Sequence, residues 1–204
     1  LAMAGIGVAF PIIMLISATS ALIGMGGAPL AAIKMGEQDH DGAEKIMSNA
    51  LSMLVILSIL LMMSLLIFKE PLLLAFGASS QTLVYANDYL GIYILGTLFV
   101  QIAIGMNPFI NTQGFAKIGM MTVMVGAVVN IILDPIFIFG LNLGVKGAAF
   151  ATITAQFISA IWVIRFLFGK KSTLKIRKEF LIPEPKVVLP IMALGVSPFI
   201  MQAT

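Results

Sequence analysis

Cysteine is absent from the 204 residues. That excludes disulfides and thiolate metal sites and leaves the redox compartment open. Charge is scarce as well: 10% of the residues are charged, against about 25% in a soluble domain. Histidine occurs once, at position 40. Its neighbours Asp39, Asp41 and Glu44 read as a solvated loop with a helix cap, so no metal site is expected there. Enzyme signatures are missing too. There is no His-Glu-x-x-His, no Gly-x-Ser-x-Gly, no phosphate-binding loop and no pair of aspartates deep inside separate apolar runs. No catalytic residue is expected, and the chain reads as a non-enzyme. No signal peptide is visible. The sequence starts inside one apolar run and stops inside another, so it reads as part of a longer protein.

Apolar length is what the chain has in abundance. Hydrophobic residues make up 60% and the mean hydropathy is +1.08. A bilayer crossing takes roughly 20 apolar residues. Five runs meet that length: about Met3 to Ile33, Met47 to Phe68, Leu83 to Phe109, Ile118 to Phe139 and Val145 to Phe168. A sixth begins at Val187. The fold class is therefore an all-α polytopic membrane protein with the lipid bilayer as its partner. The basic residues sit in loops, so no nucleic acid is implied, and no obligate protein partner is inferred. Asp41 and Glu44 have capping-box spacing and are expected to open the second helix. Lys69-Glu70-Pro71 is expected to end it, leaving 72–80 at the interface. Asn107-Pro108 is expected to kink the third run.

Counting basic residues in alternate loops gives an orientation. One side holds Lys34, Lys45, Lys117, Arg165 and six in the stretch 169–186. The other holds Lys69 and Lys146. The long basic loop is therefore expected on the cytoplasmic side.

Asp134 is the one acid deep inside an apolar run. A charge at that depth costs on the order of 3 kcal/mol or more, so it marks a functional site by default. Gly126, Asn130 and Asp134 share one helix face, and Pro135 removes a backbone donor and favours a bend. On the next run, Ala148, Thr152, Gln156 and Ser159 form a small and polar stripe. Such a stripe serves helix packing, or supplies the oxygens that Asp134 needs. Tyr85, Tyr89 and Tyr93 share another face; Tyr85 suits the interface, and Tyr89 and Tyr93 lie deeper. A buried carboxylate with Asn and Thr neighbours suits Na⁺ or H⁺ exchange, the means by which secondary transporters couple to ion gradients.

Three stretches carry a family resemblance: Gly26-Gly27-Ala28-Pro29-Leu30, Asn130 to Pro135, and Gly144-Val145-Lys146-Gly147-Ala148-Ala149 followed by Ala151-Thr152. The sequence resembles the multidrug and toxic compound extrusion (MATE) transporters of the DinF-like and MepA-like branch. The resemblance implies a twelve-helix, multi-pass protein of the bacterial plasma (inner) membrane, built from two lobes. Residues 1–168 would be helices two to six of the N-lobe, 169–186 the basic inter-lobe loop, and 187–204 the start of helix seven in the C-lobe. It implies a Na⁺- or H⁺-coupled antiporter of amphipathic, often cationic, drug-like small molecules, with no cofactor. Asp134, Asn130, Thr152 and the backbone of Ala148 would form the ion-coupling site, and Tyr89, Asn107 and Gln156 would contact substrate. The family's first helix would add a second aspartate. No acid occurs around Ser197-Pro198, where another branch carries one. The alternative is a lipid-linked oligosaccharide or precursor flippase of the same superfamily, which no mid-span Arg or Lys supports.

Overall fold

A computed structural model describes residues 2–203. Among them there is no strand. The helices are α1 (Ala2–Gly36), α2 (His40–Ala75), α3 (Ser80–Leu95), α4 (Thr97–Gly105), α5 (Asn107–Thr112), α6 (Ala116–Pro135), α7 (Gly144–Leu167) and α8 (Pro185–Ala203). A π turn at Ile136–Gly140 follows α6, and a 3₁₀ turn at Lys178–Phe180 precedes α8. Five helices are long and apolar enough to cross a membrane. The series α3–α5, bent by 59° at its break, is long and apolar enough for a sixth when taken together. In lipid only helices satisfy their own backbone groups, and that constraint sets the architecture.

α1 is the central helix and packs against α2, α3, α4, α5 and α8. Small residues make these approaches possible, because association in lipid depends on close packing. A methyl group on Gly24 would fall on the Gly105 carbonyl. One on Gly195 would fall on the Leu22 carbonyl. Met47, Leu54, Phe109, Ile110 and Leu174 are fully buried at one end of the bundle. Ile12, Ile16, Leu90 and Ile94 are buried toward the other. Large side chains such as Ile67, Val123, Ile131 and Met201 face outward, as a lipid-solvated protein requires.

The local expectations need three corrections. Asp39, not Asp41, caps α2: its Oδ1 accepts from the Gly42 N–H at 2.9 Å. That bond, and then Lys34, hold the Asp39 carboxyl below its usual range. Gln38 at φ 61° makes the turn that places the cap there. Second, α2 runs through Pro71 to Ala75. Continuing the helix satisfies backbone groups that a break in lipid would strand. Third, the run 83–109 is not one helix. It breaks at Gly96, pressed on the Ile153 side chain, and again at Met106 just before Asn107-Pro108.

The stretch 169–184 is irregular, as Pro183 and Pro185 suggest, yet it is strapped across the bundle end. Gln113 Oε1 accepts from the Ser172 hydroxyl (2.9 Å) and from the Thr173 and Leu174 N–H groups (2.8 and 3.0 Å). The buried Glu44 accepts from the Lys175 N–H at 2.8 Å and pairs with Arg177. Asn49 donates to the Phe180 carbonyl at 2.9 Å and accepts from the Glu184 N–H at 2.7 Å. Lys34, Lys45 and Arg177 thus gather at one end of the bundle, while Lys146 pairs with Asp88 at the other (3.4 Å).

Candidate functional site

The Asn130–Asp134 face of α6 ends at Pro135, where the chain passes into the π turn. Leu141 N–H bonds back to the Ile136 carbonyl at 2.9 Å, a five-residue span. π turns of this kind recur at functional sites. Asp134 lies 18 residues past Ala116, about 27 Å along the helix at 1.5 Å per residue, and so near the end that carries Lys146–Asp88. It is half-buried, and Asn130 Nδ2 donates to its Oδ1 at 3.4 Å.

The hairpin into α7 brings the remaining oxygens close. Gly147 lies against the Phe137 carbonyl, where a side chain would collide. That approach sets the first turns of α7 beside the π turn. Thr152 Oγ1 donates to the Ala148 carbonyl at 2.9 Å, so these two groups are tied within one helix turn. From α3, Tyr89 is near enough to Thr152 and Asp134 for both to act on its hydroxyl electrostatically. Tyr89 is 8% exposed and stacks on Tyr93 at 6.1 Å. Asp134 and Asn130 on α6, Thr152 and the Ala148 carbonyl on α7 and Tyr89 on α3 each carry an oxygen, the donor type a hard cation or a proton uses. Among the described residues no three His, Asp or Glu side chains gather into a metal cluster.

On α4 to α7 lies an open cavity of about 450 Å³ that shares Asn130 and Thr152 with this set. α5 contributes Asn107 and Asn111, α6 contributes Thr122, Gly126 and Asn130, and α7 contributes Thr152, Gln156 and Ser159. No charged side chain lines it. Asn107 and Gln156 thus face one cavity, whereas Tyr89 and Asp134 are not among its lining residues. Asn130 and Thr152 belong to both places. Asn107 Nδ2 donates to the Gly119 carbonyl at 3.2 Å, while its buried Oδ1 has no hydrogen-bond partner among the described residues. Asn111 and Thr122 escaped the sequence reading. Their signal was present as Asn107/Asn111 and Thr122/Gly126/Asn130 at four-residue spacing, a shared helix face in each case. Gln101, by contrast, is occupied with structure: it bonds Thr19 Oγ1 at 2.6 Å and accepts from Ser20 Oγ at 3.0 Å, pinning α4 to α1.

The family described as MatE matches residues 1–136. The chain belongs to the MatE family. Its relatives include the multidrug export protein MepA of Staphylococcus haemolyticus (strain JCSC1435), 30% identical over 196 residues, covering 96% of this chain and 43% of that protein. MepA of Staphylococcus aureus (strain MSSA476) is 24% identical over 197 residues, covering 97% and 44%. Among solved structures, an inward-facing multidrug resistance MATE transporter of the MOP superfamily superposes with TM-score 0.94 at 26% identity, covering 99% of this chain and 46% of that one. An outward-facing one gives 0.91 at 27%, covering 98% and 44%. This MatE chain therefore spans less than half the length of the relatives it matches. It is a multi-pass membrane protein with the helical fold of one half of those transporters.

Proposed function

We propose that the full-length protein exports amphipathic, often cationic, drug-like compounds across the bacterial plasma membrane in exchange for Na⁺ or H⁺. The observation that carries this reading is the sharing of Asn130 and Thr152. Asn130 bonds Asp134 and also lines the cavity, and Thr152 lies against Tyr89 and also lines it. An ion arriving at Asp134 competes for the same side chains that a substrate in the cavity touches. Binding of one then weakens binding of the other, which is the linkage an antiporter needs. The names of the MepA relatives support drug export.

In this mechanism Asp134 takes the ion, with Asn130, Thr152 and the Ala148 carbonyl as supporting oxygens. Tyr89 senses the charge of Asp134. Asn107, with its unpaired Oδ1, and Gln156 contact substrate donors. Pro135 and the π turn give the far end of α6 a place to bend. Residues 1–168 serve as N-lobe helices, 169–186 as the cytoplasmic link and 187–204 as the start of the second lobe.

The test uses full-length protein in proteoliposomes, with a fluorescent cationic dye and separately imposed Na⁺ and pH gradients. Gradient-driven dye movement is expected to fall at least 10-fold in Asp134→Asn, whose amide holds the shape but not the charge. Efflux unchanged in that variant removes Asp134 from coupling. If wild-type protein moves no dye under either gradient but moves a lipid-linked sugar, the exporter reading fails.

A further inference from the structure

α7 has a second face. Thr152, Ala155, Gln156 and Ser159 line the central cavity, and Phe157, Ala160, Ile161 and Ile164 lie on the other side of the same helix. With Phe99 and Ile102 of α4 they form a groove of about 270 Å³. Phe99 meets Phe157 edge-on at 4.9 Å and continues the groove toward Ile153. Phe157 and Ile161 remain 43% and 47% exposed on this outward side. From Ile153 to Arg165 the groove follows α7 for 12 residues, about 18 Å. One leaflet of the hydrocarbon core is about 15 Å deep.

The groove ends at a charge. Arg165 is its one charged lining residue, and among the described residues no carboxylate pairs with it. The acids at this end of the molecule are already taken. Glu37 and Asp39 pair with Lys34, Asp41, Glu44 and Glu179 with Arg177, and Glu184 with Lys45. Lys170 and Lys171, exposed just past the end of α7, likewise have no acidic partner among the described residues. An outward apolar channel one leaflet long, ending at the Arg165 guanidinium, fits a molecule with a long chain and an anionic head.

We propose that the α4/α7 groove is a binding site for an anionic phospholipid. One acyl chain lies along Phe99, Phe157 and Ile161, and the headgroup phosphate sits on the Arg165 guanidinium with Lys170 and Lys171 beside it. A guanidinium holds a phosphate through paired N–H donors, which an ammonium cannot match. The site does not depend on what the protein exports.

The experiment is native mass spectrometry of the full-length protein in detergent, titrated with phosphatidylglycerol or phosphatidylcholine of equal chain length. Wild-type protein is expected to retain phosphatidylglycerol at least 10-fold better. Arg165→Gln removes that preference without changing Tm in lipid-free detergent. Ile161→Trp fills the groove, leaves the charge and lowers retention of both lipids. Millimolar inorganic phosphate does not displace the bound lipid, because the chain holds it. Equal retention of the two lipids by wild-type protein overturns the proposal. So does wild-type retention in both variants, or displacement by phosphate alone.

Discussion

At the scale of single residues, the polar groups of this chain divide into those held by structure and those left available. Gln101 and Gln113 have their amides filled by neighbours. Asn107 keeps a buried oxygen without a donor, inside the cavity. Gly126 shows how tight the cavity wall is. A methyl there would come within 2.6 Å of Ser159 Oγ, which donates to the Thr122 carbonyl at 3.2 Å. Gly126→Ala should push that hydroxyl aside and cost about 1 kcal/mol, the worth of one hydrogen bond. Thermal unfolding of the variant checks this. In a Ser159→Ala background the same change should cost less, since the group it displaces is already gone. Asp134 was legible from sequence because an acid in an apolar run has no cheap explanation. Asn111 and Thr122 show only a shared helix face, and an Asn or a Thr on a helix face is ordinary until other helices close around it. The cap went to Asp39 rather than Asp41 for an equally local reason. The left-handed Gln38 fixes the turn, and no periodicity reports that.

At the scale of elements, hydropathy located the spans, since length and composition decide whether a helix can cross. It could not show that the third span is three helices. That depends on Gly96 meeting Ile153 of α7, a contact between residues far apart in sequence. Nor did composition show that the stretch 169–184 is pinned. Its lysines and prolines read as loop, and they are, but the clamps come from α2 and α5. Asn49, fully buried, makes two of them. Asn49→Ala leaves the Phe180 carbonyl and the Glu184 N–H without partners, at about 1–3 kcal/mol for each group that stays buried. Hydrogen exchange of the Glu184 amide should rise several-fold in that variant, while amides in α7 stay protected.

At the scale of the whole molecule, this half superposes at 0.94 on an inward-facing relative and at 0.91 on an outward-facing one. The matching half of those relatives thus has nearly the shape of this chain in both settings, and rocking of rigid halves around a fixed site is the common way such folds alternate access. The glycine contact between α1 and α4 fits that picture. Backbone laid directly on backbone, as at Gly24 and Gly105, leaves no side chain to rearrange.

The strap also sets where a protease can enter. Exposed loop tips are the usual sites of nicking, and pinned backbone resists it. Trypsin offered to the basic face should cut first after Lys170 or Lys171, which are exposed and whose backbone no side chain pins among the described residues. It should cut last after Arg177, whose N–H is held by Ser48 at 3.1 Å and whose side chain lies among Asp41, Glu44 and Glu179. Peptide mapping of inverted vesicles would show the order. In a stretch rich in cleavable residues, one bond would be soft and its neighbour a few residues away hard, and Asn49→Ala would even them out.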